Sequence, residues 1–109
     1  MEMEKQDSEK IKYRKMISFL GICAKAGHVQ SGSFCVENAI KGKKACLVIC
    51  AEDASQGTVK TFKDMCSYRA IPFTMGPVKN ELGHCIGKED RSVIAIMDEK
   101  MAEAVMDLL

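Results

Sequence analysis

This chain of 109 residues lacks any apolar run long enough to cross a lipid bilayer. Its longest run covers residues 45–51, roughly a third of the ~20 residues that a membrane-spanning helix needs. We expect no signal segment either, because the chain opens on the polar run MEMEKQDSEK. The six cysteines are therefore not expected to form a disulfide scaffold. These absences predict a reduced, cytoplasmic protein that does not enter a membrane.

Acidic residues are nearly absent between Lys10 and Lys44, where Glu37 stands alone against eight basic residues. One acid and eight bases give this stretch a charge of +7, whereas the whole chain carries +1. Such an asymmetry predicts a surface that faces a polyanion on an otherwise neutral domain. The alternative is that these basic residues are simply solvated on the outer faces of helices.

Motifs for metal binding, nucleotide binding and nucleophilic catalysis are missing as well. No C-x-x-C pair is present, and neither a phosphate loop nor a dinucleotide fingerprint occurs. His84 and Cys85 are adjacent, and adjacent side chains on a helix point ~100° apart, so they do not form a catalytic dyad. We therefore expect no enzyme activity, no metal, no cofactor and no small-molecule substrate.

The stretch LVICAEDAS, residues 47–55, carries two acids at the end of an apolar run that is typical of a buried strand. Acids at such a position can serve catalysis at the mouth of a sheet, or they can cap the helix that follows. We favour capping by Asp53 and Ser55, because no histidine or nucleophile is available to join Glu52. An enzyme centred on Glu52 and Asp53 is the alternative.

Hydrophobic periodicity predicts five helices that alternate with four strands, in the order α, β, α, β, α, β, α, β, α. Ser55, Asn80 and Asp98 are the predicted N-caps of the last three helices. Strands that alternate with helices need a sheet covered on both faces. We therefore predict a single domain over residues 1–109, an α/β protein folded as a three-layer α/β/α sandwich. Its sheet should be mixed, with about four strands, and residues 1–8 should be frayed.

The start of the second helix, SGSFC at residues 31–35, is the strongest candidate binding site. Gly32 allows a partner's backbone to approach closely, and the amides of the next three residues precede the first intrahelical hydrogen bond. Free amides at a helix start form an anion site, and we expect Lys41, Lys43 and Lys44 to flank it. The alternative is a glycine that merely permits a tight turn into the helix.

Three stretches of the chain read SGSFCVENAIKGKKACLVICAEDAS, CSYRAIPF and LGHCIGKEDRSVIAI. Together with the D-x-x-M-A start of the last helix, they resemble the kink-turn-binding ribosomal protein family of the large-subunit protein seven-Ae type, and within it the bacterial YlxQ-like members. The resemblance covers about residues 16–109. It implies an α/β/α sandwich that binds RNA bent sharply at an internal loop with sheared G·A pairs, and it implies no enzyme activity.

In that family, the second helix opens with glycine, a small residue, asparagine and glutamate, with lysine a turn later, and this row reads guanine edges in the widened groove. The resemblance places these roles on Gly32, Ser33, Phe34, Cys35 and Asn38. The glycine and the small residue are kept, but the three reading side chains are not. A bidentate polar contact to a base edge is worth about 1–3 kcal/mol, so specificity for the G·A pairs should be weakened.

The resemblance assigns two further contacts. Arg91 matches an arginine in the loop before the last strand, and Val59 matches an apolar residue that touches an extruded base. With Phe34 available to stack on an unpaired base, we predict a protein that binds structured RNA by its bent shape more than by its G·A pairs. A kink-turn or a ribosomal RNA is the candidate target, with the ribosome as a candidate location. The alternative is a protein-interaction module on the same fold that uses Phe34 and Cys35 as an apolar contact.

Overall fold

The computed structural model describes the backbone of residues 2–109 and the side chains of residues 13–109. In this part of the chain, five helices and four strands follow one another in the predicted order. They are helix α1 (Glu2–Lys25), strand β1 (Val29–Ser31), α2 (Ser33–Lys41), β2 (Leu47–Ala51), α3 (Gln56–Tyr68), β3 (Phe73–Gly76), α4 (Lys79–Cys85), β4 (Val93–Ile96) and α5 (Glu99–Asp107). The predicted fraying of residues 1–8 falls outside the described side chains and stays a prediction. Within residues 2–109, no helix combines the length and the apolar composition needed to cross a membrane.

The four strands form one mixed sheet in the order β1-β4-β2-β3, as predicted. Strand β2 pairs in parallel with β3, and β4 pairs antiparallel with both β1 and β2. Strands β1, β2 and β3 therefore end at the same edge of the sheet, where β4 begins. We call this the upper edge, and it consists of residues 31–32, 51–55, 77–79 and 91–92. The opposite, lower edge consists of residues 42–46, 69–72 and 97–98.

Helices cover both faces of the sheet, which gives the predicted three layers. Strand β2 is buried along its whole length, and its side chains alternate between two core clusters. Leu47 and Ile49 pack with side chains of α1, α4 and α5. Val48 and Cys50 pack with those of α2 and α3. Because a strand alternates with a period of two and neither face meets water, this position requires a continuous apolar run.

Two of the three predicted N-caps are confirmed. Ser55 and Asp98 each accept a hydrogen bond from a backbone amide in the first turn of α3 and α5, respectively. The prediction for Asn80 is wrong, because the N-cap position of α4 is Val78, two residues earlier. Asn80 lies inside this helix, where its Nδ2 donates to Asp90 Oδ1 at 3.4 Å.

Candidate nucleic-acid interface

Gly32 forms the corner between β1 and α2 at the upper edge. Its backbone has φ +90° and ψ 154°, a conformation that residues with a side chain rarely adopt. Its N–H donates to the Val93 carbonyl and its own carbonyl accepts from the Val36 amide, both at 3.0 Å. A Cβ atom at this position would meet nothing within 4 Å. The glycine therefore sets the turn into the helix and also leaves open space beside it for a partner.

The first three residues of α2 are exposed. Ser33, Phe34 and Cys35 precede the first intrahelical hydrogen bond, which Val36 donates to Gly32. Among the side chains of residues 13–109, none caps this helix, and its first turn holds no acid. Within the described part of the chain, none of the three amides has an acceptor. Unpaired N–H groups and the positive end of the helix dipole together favour an anion at this corner.

Arg91, from the loop before β4, lies beside this corner. Its Nε donates to Ser31 Oγ at 3.2 Å, and its Nη1 donates to the carbonyls of Asp90 at 3.0 Å and Glu89 at 3.4 Å. Ser31 directly precedes Gly32, so the hydrogen bond holds the guanidinium next to the free amides. Sequence reasoning missed the contact between Ser31 and Arg91, because the two residues are 60 positions apart along the chain and no local pattern marks the pair.

Phe34 is 76% exposed on the outside of the first turn of α2. An aromatic ring that the core does not use can stack on an unpaired base, which is the role that the sequence assigns to it. Asn38 is also exposed, one turn further along. Cys35, Asn38 and Lys44 line one side of a groove of about 330 Å³ that runs beside α2.

The sequence predicted that three lysines flank the start of α2. This prediction is wrong, because they lie towards the other end of the helix. Lys43 and Lys44 follow the C-terminal end of α2, and a helix of nine residues is ~13 Å long, so they lie at the lower edge. Lys41 lies in the last turn, with its Nζ 2.9 Å from Glu37 Oε1. An exposed pair of this kind is worth only ~0.3–0.5 kcal/mol, so it leaves the ammonium available. Positive charge therefore lies along and beyond α2 instead of at its start.

The predicted site residues thus fall into three places. Gly32, Ser33, Phe34, Cys35 and Arg91 meet at one corner of the upper edge. Asn38 and Lys41 lie further along the same helix. Val59 is separate, one turn into α3, where it packs half-buried against the core cluster of α2 and α3. Its contact with an extruded base stays a prediction.

The acids after β2 serve the ends of helices. Ser55 Oγ accepts from the Thr58 amide at 3.1 Å, as predicted for the cap of α3. Asp53 also accepts a helix amide, but its partner is Lys79, the first residue of α4, at 2.7 Å. Asp53 therefore caps the neighbouring helix, and this explains why Asn80 is not needed as its cap. The side chain of Glu52 is exposed and has no partner within the described residues.

Replacing Asp53 with alanine is expected to lower the free energy of unfolding by about 1 kcal/mol, because the Lys79 amide loses its acceptor. Asp53→Asn keeps an acceptor oxygen and should lose less than half of that. Glu52→Gln is the matched control and should leave stability unchanged. Urea unfolding measures all three variants. Wild-type stability for Asp53→Ala would show that this hydrogen bond does not hold α4.

The cysteines offer no metal site or reactive pair. All six are free thiols, and the described residues contain no group of three potential metal ligands. Burial raises the pKa of Cys50, Cys66 and Cys85 to about 11, so these thiols stay protonated near neutral pH. Cys35 is the exposed one. The cysteines therefore belong to the core, except for the one that lies in the candidate interface.

The fold and the corner define a class: a small α/β/α sandwich with an uncapped helix start, which suits the binding of a polyanion. The chain belongs to the ribosomal protein L7Ae/L30e/S12e/Gadd45 family, whose sequence profile matches residues 14–106. This membership confirms the resemblance found in the sequence. It also confirms the prediction that the chain is not an enzyme, since the family and the relatives described below are non-enzymatic.

Individual relatives cover most of the chain. It is 38% identical over 90 residues to the RNA-binding protein YlxQ of Bacillus subtilis (strain 168), which is 83% of this chain and 90% of that protein. It is 31% identical over 96 residues to the RNA-binding protein YlxQ of Enterococcus faecium, covering 88% of this chain and 92% of the relative.

Solved structures agree with the fold. A protein of unknown function from Bacillus halodurans C superimposes with a TM-score of 0.82 at 32% identity, over 84% of this chain and 93% of that one. The Giardia lamblia 15.5kD RNA binding protein superimposes with a TM-score of 0.72 over 90% of both chains. At 18% identity, the second match supports the three-layer fold alone.

Proposed function

We propose that this protein binds RNA, and that its target is a helix bent sharply in the manner of a kink-turn. The observation that carries the proposal is the corner at Gly32, where three amides without an acceptor lie beside the guanidinium of Arg91. Two relatives that cover most of the chain are named RNA-binding proteins, which supports the same ligand class.

Phosphate contacts explain how the corner would hold a bent strand. The amides of Ser33, Phe34 and Cys35 and the guanidinium of Arg91 offer donors on one small surface. A sharp bend crowds phosphates together, so a cluster of donors at one corner fits a bent backbone better than a straight one. Lys41 adds charge further along the same helix. These contacts depend on the shape of the RNA and not on its sequence.

Base contacts at this site differ from those that the family resemblance implies. Phe34, Cys35 and Asn38 stand where asparagine, glutamate and lysine would read guanine edges. Phe34 can stack on any unpaired base, which is worth about 1–3 kcal/mol without discriminating among sequences. We therefore propose that the protein recognises the bent shape more than the G·A pairs. A ribosomal RNA remains a candidate target within this proposal, because it contains many bent helices and the family is one of ribosomal proteins.

The test is a titration of two RNAs, a kink-turn and a copy in which the G·A pairs are changed to Watson–Crick pairs. The kink-turn should bind about tenfold more tightly, because the copy does not bend and the donor cluster then contacts fewer phosphates. Equal affinity for both RNAs, with the same steep loss at high salt, would contradict shape recognition.

A matched variant separates shape from base reading. The triple substitution Phe34→Asn, Cys35→Glu and Asn38→Lys installs the side chains that the family resemblance implies. If these positions face the guanines, the preference of the variant for the kink-turn over the straight copy should rise by about tenfold. An unchanged preference would mean that the first turn of α2 does not enter the groove.

A protein-interaction module is the second candidate, and the 76% exposure of Phe34 is the observation that favours it. Phe34→Ala distinguishes the two functions. Loss of RNA affinity by about tenfold with intact folding supports a base contact. The interaction module is supported if the Phe34→Ala variant binds RNA as tightly as wild type but no longer recovers a protein partner that wild type recovers from cells. Phe34→Tyr is the control, because it keeps an aromatic ring.

A further inference from the structure

A second basic surface lies at the lower edge, on the side of α2 and α3. We call it the basic end, and it consists of Lys43, Lys44, Tyr68 and Arg69. The turns that follow α2 and α3 meet there, since residues 45–46 and 70–72 line one depression of about 410 Å³. The candidate interface described above does not use this surface, which lies ~13 Å from the free amides along α2.

Tyr68 is the most exposed large hydrophobic side chain among the described residues, at 86%. The guanidinium carbon of Arg69 lies 5.3 Å from the centre of its ring. Arg69 also donates a hydrogen bond from Nη1 to the Met65 carbonyl at 3.5 Å, which ties the guanidinium to the helix. A cation held over the face of an aromatic ring restricts the ring, and the 86% exposure of Tyr68 leaves ring surface open to a ligand. This arrangement is a platform that a flat apolar group can stack on.

Lys43, Lys44 and Arg69 supply positive charge on the α2 and α3 side of the depression. Lys43 and Lys44 are exposed, and within residues 13–109 neither forms a salt bridge. Lys43 adopts φ +57°, a left-handed conformation that is uncommon for a residue with a long side chain. The carboxylates of Glu99, Glu103 and Asp107 line the α5 side of the same depression, so they bound the positive surface on that side.

We propose that the basic end binds an unpaired nucleotide of the same RNA that occupies the Gly32 corner. Tyr68 would stack on the base, while Lys43, Lys44 and Arg69 would hold its phosphates, which is how proteins bind single strands. Cys35 and Lys44 both line the groove beside α2, so this groove runs from the Gly32 corner to one residue of the basic end. The proposal rests on the proposed RNA-binding function and extends it from the bent helix to a single-stranded flank.

The test compares one bent RNA in two forms, with blunt ends and with an extension of about six unpaired nucleotides at the 5′ or the 3′ end. Wild type should bind one extended form about tenfold more tightly than the blunt form. Tyr68→Ala should remove that gain and leave the affinity for blunt RNA unchanged. Tyr68→Phe should keep most of the gain, because it keeps the ring. The side chain is exposed, so far-UV circular dichroism should show unaltered folding in both variants.

Charge variants and a plain oligonucleotide complete the test. Lys43→Gln with Lys44→Gln should reduce the gain from the extension and its salt dependence, whereas Lys100→Gln on α5 removes one charge elsewhere and should not. Equal binding of blunt and extended RNA by wild type would overturn the proposal, and so would an equal loss for both RNAs in Tyr68→Ala. If bent RNA fails to bind at all, the proposed function fails. A single-stranded oligonucleotide that still binds in a Tyr68-dependent manner would then support the basic end alone.

Discussion

Alanine at Gly83 is expected to destabilise the protein by about 3 kcal/mol, since overpacking against a rigid neighbour costs this much. Gly83 is buried in α4, and an added Cβ would overlap the carbonyl oxygen of Glu89. It would also lie 3.1 Å from the backbone nitrogen of Arg91. The obstacle is backbone, and it cannot rotate away as a side chain does. The loop must therefore move off α4.

The displaced loop is the one that carries Arg91. Several hydrogen bonds hold it on α4, among them those from the Lys88 amide to the Gly83 carbonyl at 2.9 Å and from the Arg91 amide to the Lys79 carbonyl at 3.1 Å. We therefore expect Gly83→Ala to weaken RNA binding as well as stability, although Gly83 itself is buried.

Urea unfolding measures the effect of Gly83→Ala on stability. RNA titration measures its effect on affinity, under conditions below the unfolding midpoint so that the variant remains folded. Gly57→Ala is the control, because a Cβ there meets nothing within 4 Å and the residue lies within α3. That control should gain about 0.5–1 kcal/mol and keep its RNA affinity. An unchanged midpoint for Gly83→Ala would show that the loop does not pack against α4 as described.

Alanine at Gly32 is expected to have the second largest effect, on both stability and binding. The conformation at this corner is available almost only to glycine, so a side chain there costs about 1–3 kcal/mol of strain. Relief of that strain must rotate the chain between Ser31 and Ser33, and the free amides of α2 turn with it. We expect RNA affinity to fall by about tenfold or more, because the rotated amides no longer point at the phosphates.

Gly32→Ala is informative because open space surrounds the site, so backbone strain and not a clash causes the change. Stability is measured by urea unfolding and affinity by titration with the kink-turn RNA. A variant that loses stability but binds RNA as tightly as wild type would contradict a role for the corner amides. Phe34→Ala gives the complementary pattern, a loss of affinity with little change in stability, because that ring is exposed.

The sequence was sufficient to predict features that depend on neighbours along the chain. The apolar run around Ile49 predicted the buried central strand, and Ser55 and Asp98 were identified as caps because each acts on its own helix. The three layers followed from the alternation of helices and strands, whereas the antiparallel pairing of β4 does not follow from it.

Features that join distant segments could not be predicted in this way. The hydrogen bond from Lys79 to Asp53 crosses 26 residues, and the assignment of a cap to Asn80 failed because that acceptor comes from another loop. The contact between Ser31 and Arg91 crosses 60 residues, and only the family resemblance indicated that the arginine belongs to the site.

The lysines show a further limit. Lys43 and Lys44 are close to Gly32 in sequence, but the rise of α2 carries them to the other edge of the sheet. The sum of charges along the sequence did not locate a surface, because five of its eight basic residues belong to α1, on the other face of the sheet from α2. The structure separates the charge of Lys43 and Lys44 from the free amides, and this separation is the basis for inferring two contact surfaces along one RNA.

The central claim is that the amides of Ser33, Phe34 and Cys35 face the RNA backbone. The most direct test is an NMR titration of the isotope-labelled protein with kink-turn RNA, followed through the backbone amide resonances. We expect the resonances of these three amides to shift most strongly, together with that of the Nε–H of Arg91. The amide resonances of α5 should not shift. Shifts centred on α5, with residues 33–35 unaffected, would contradict the central claim.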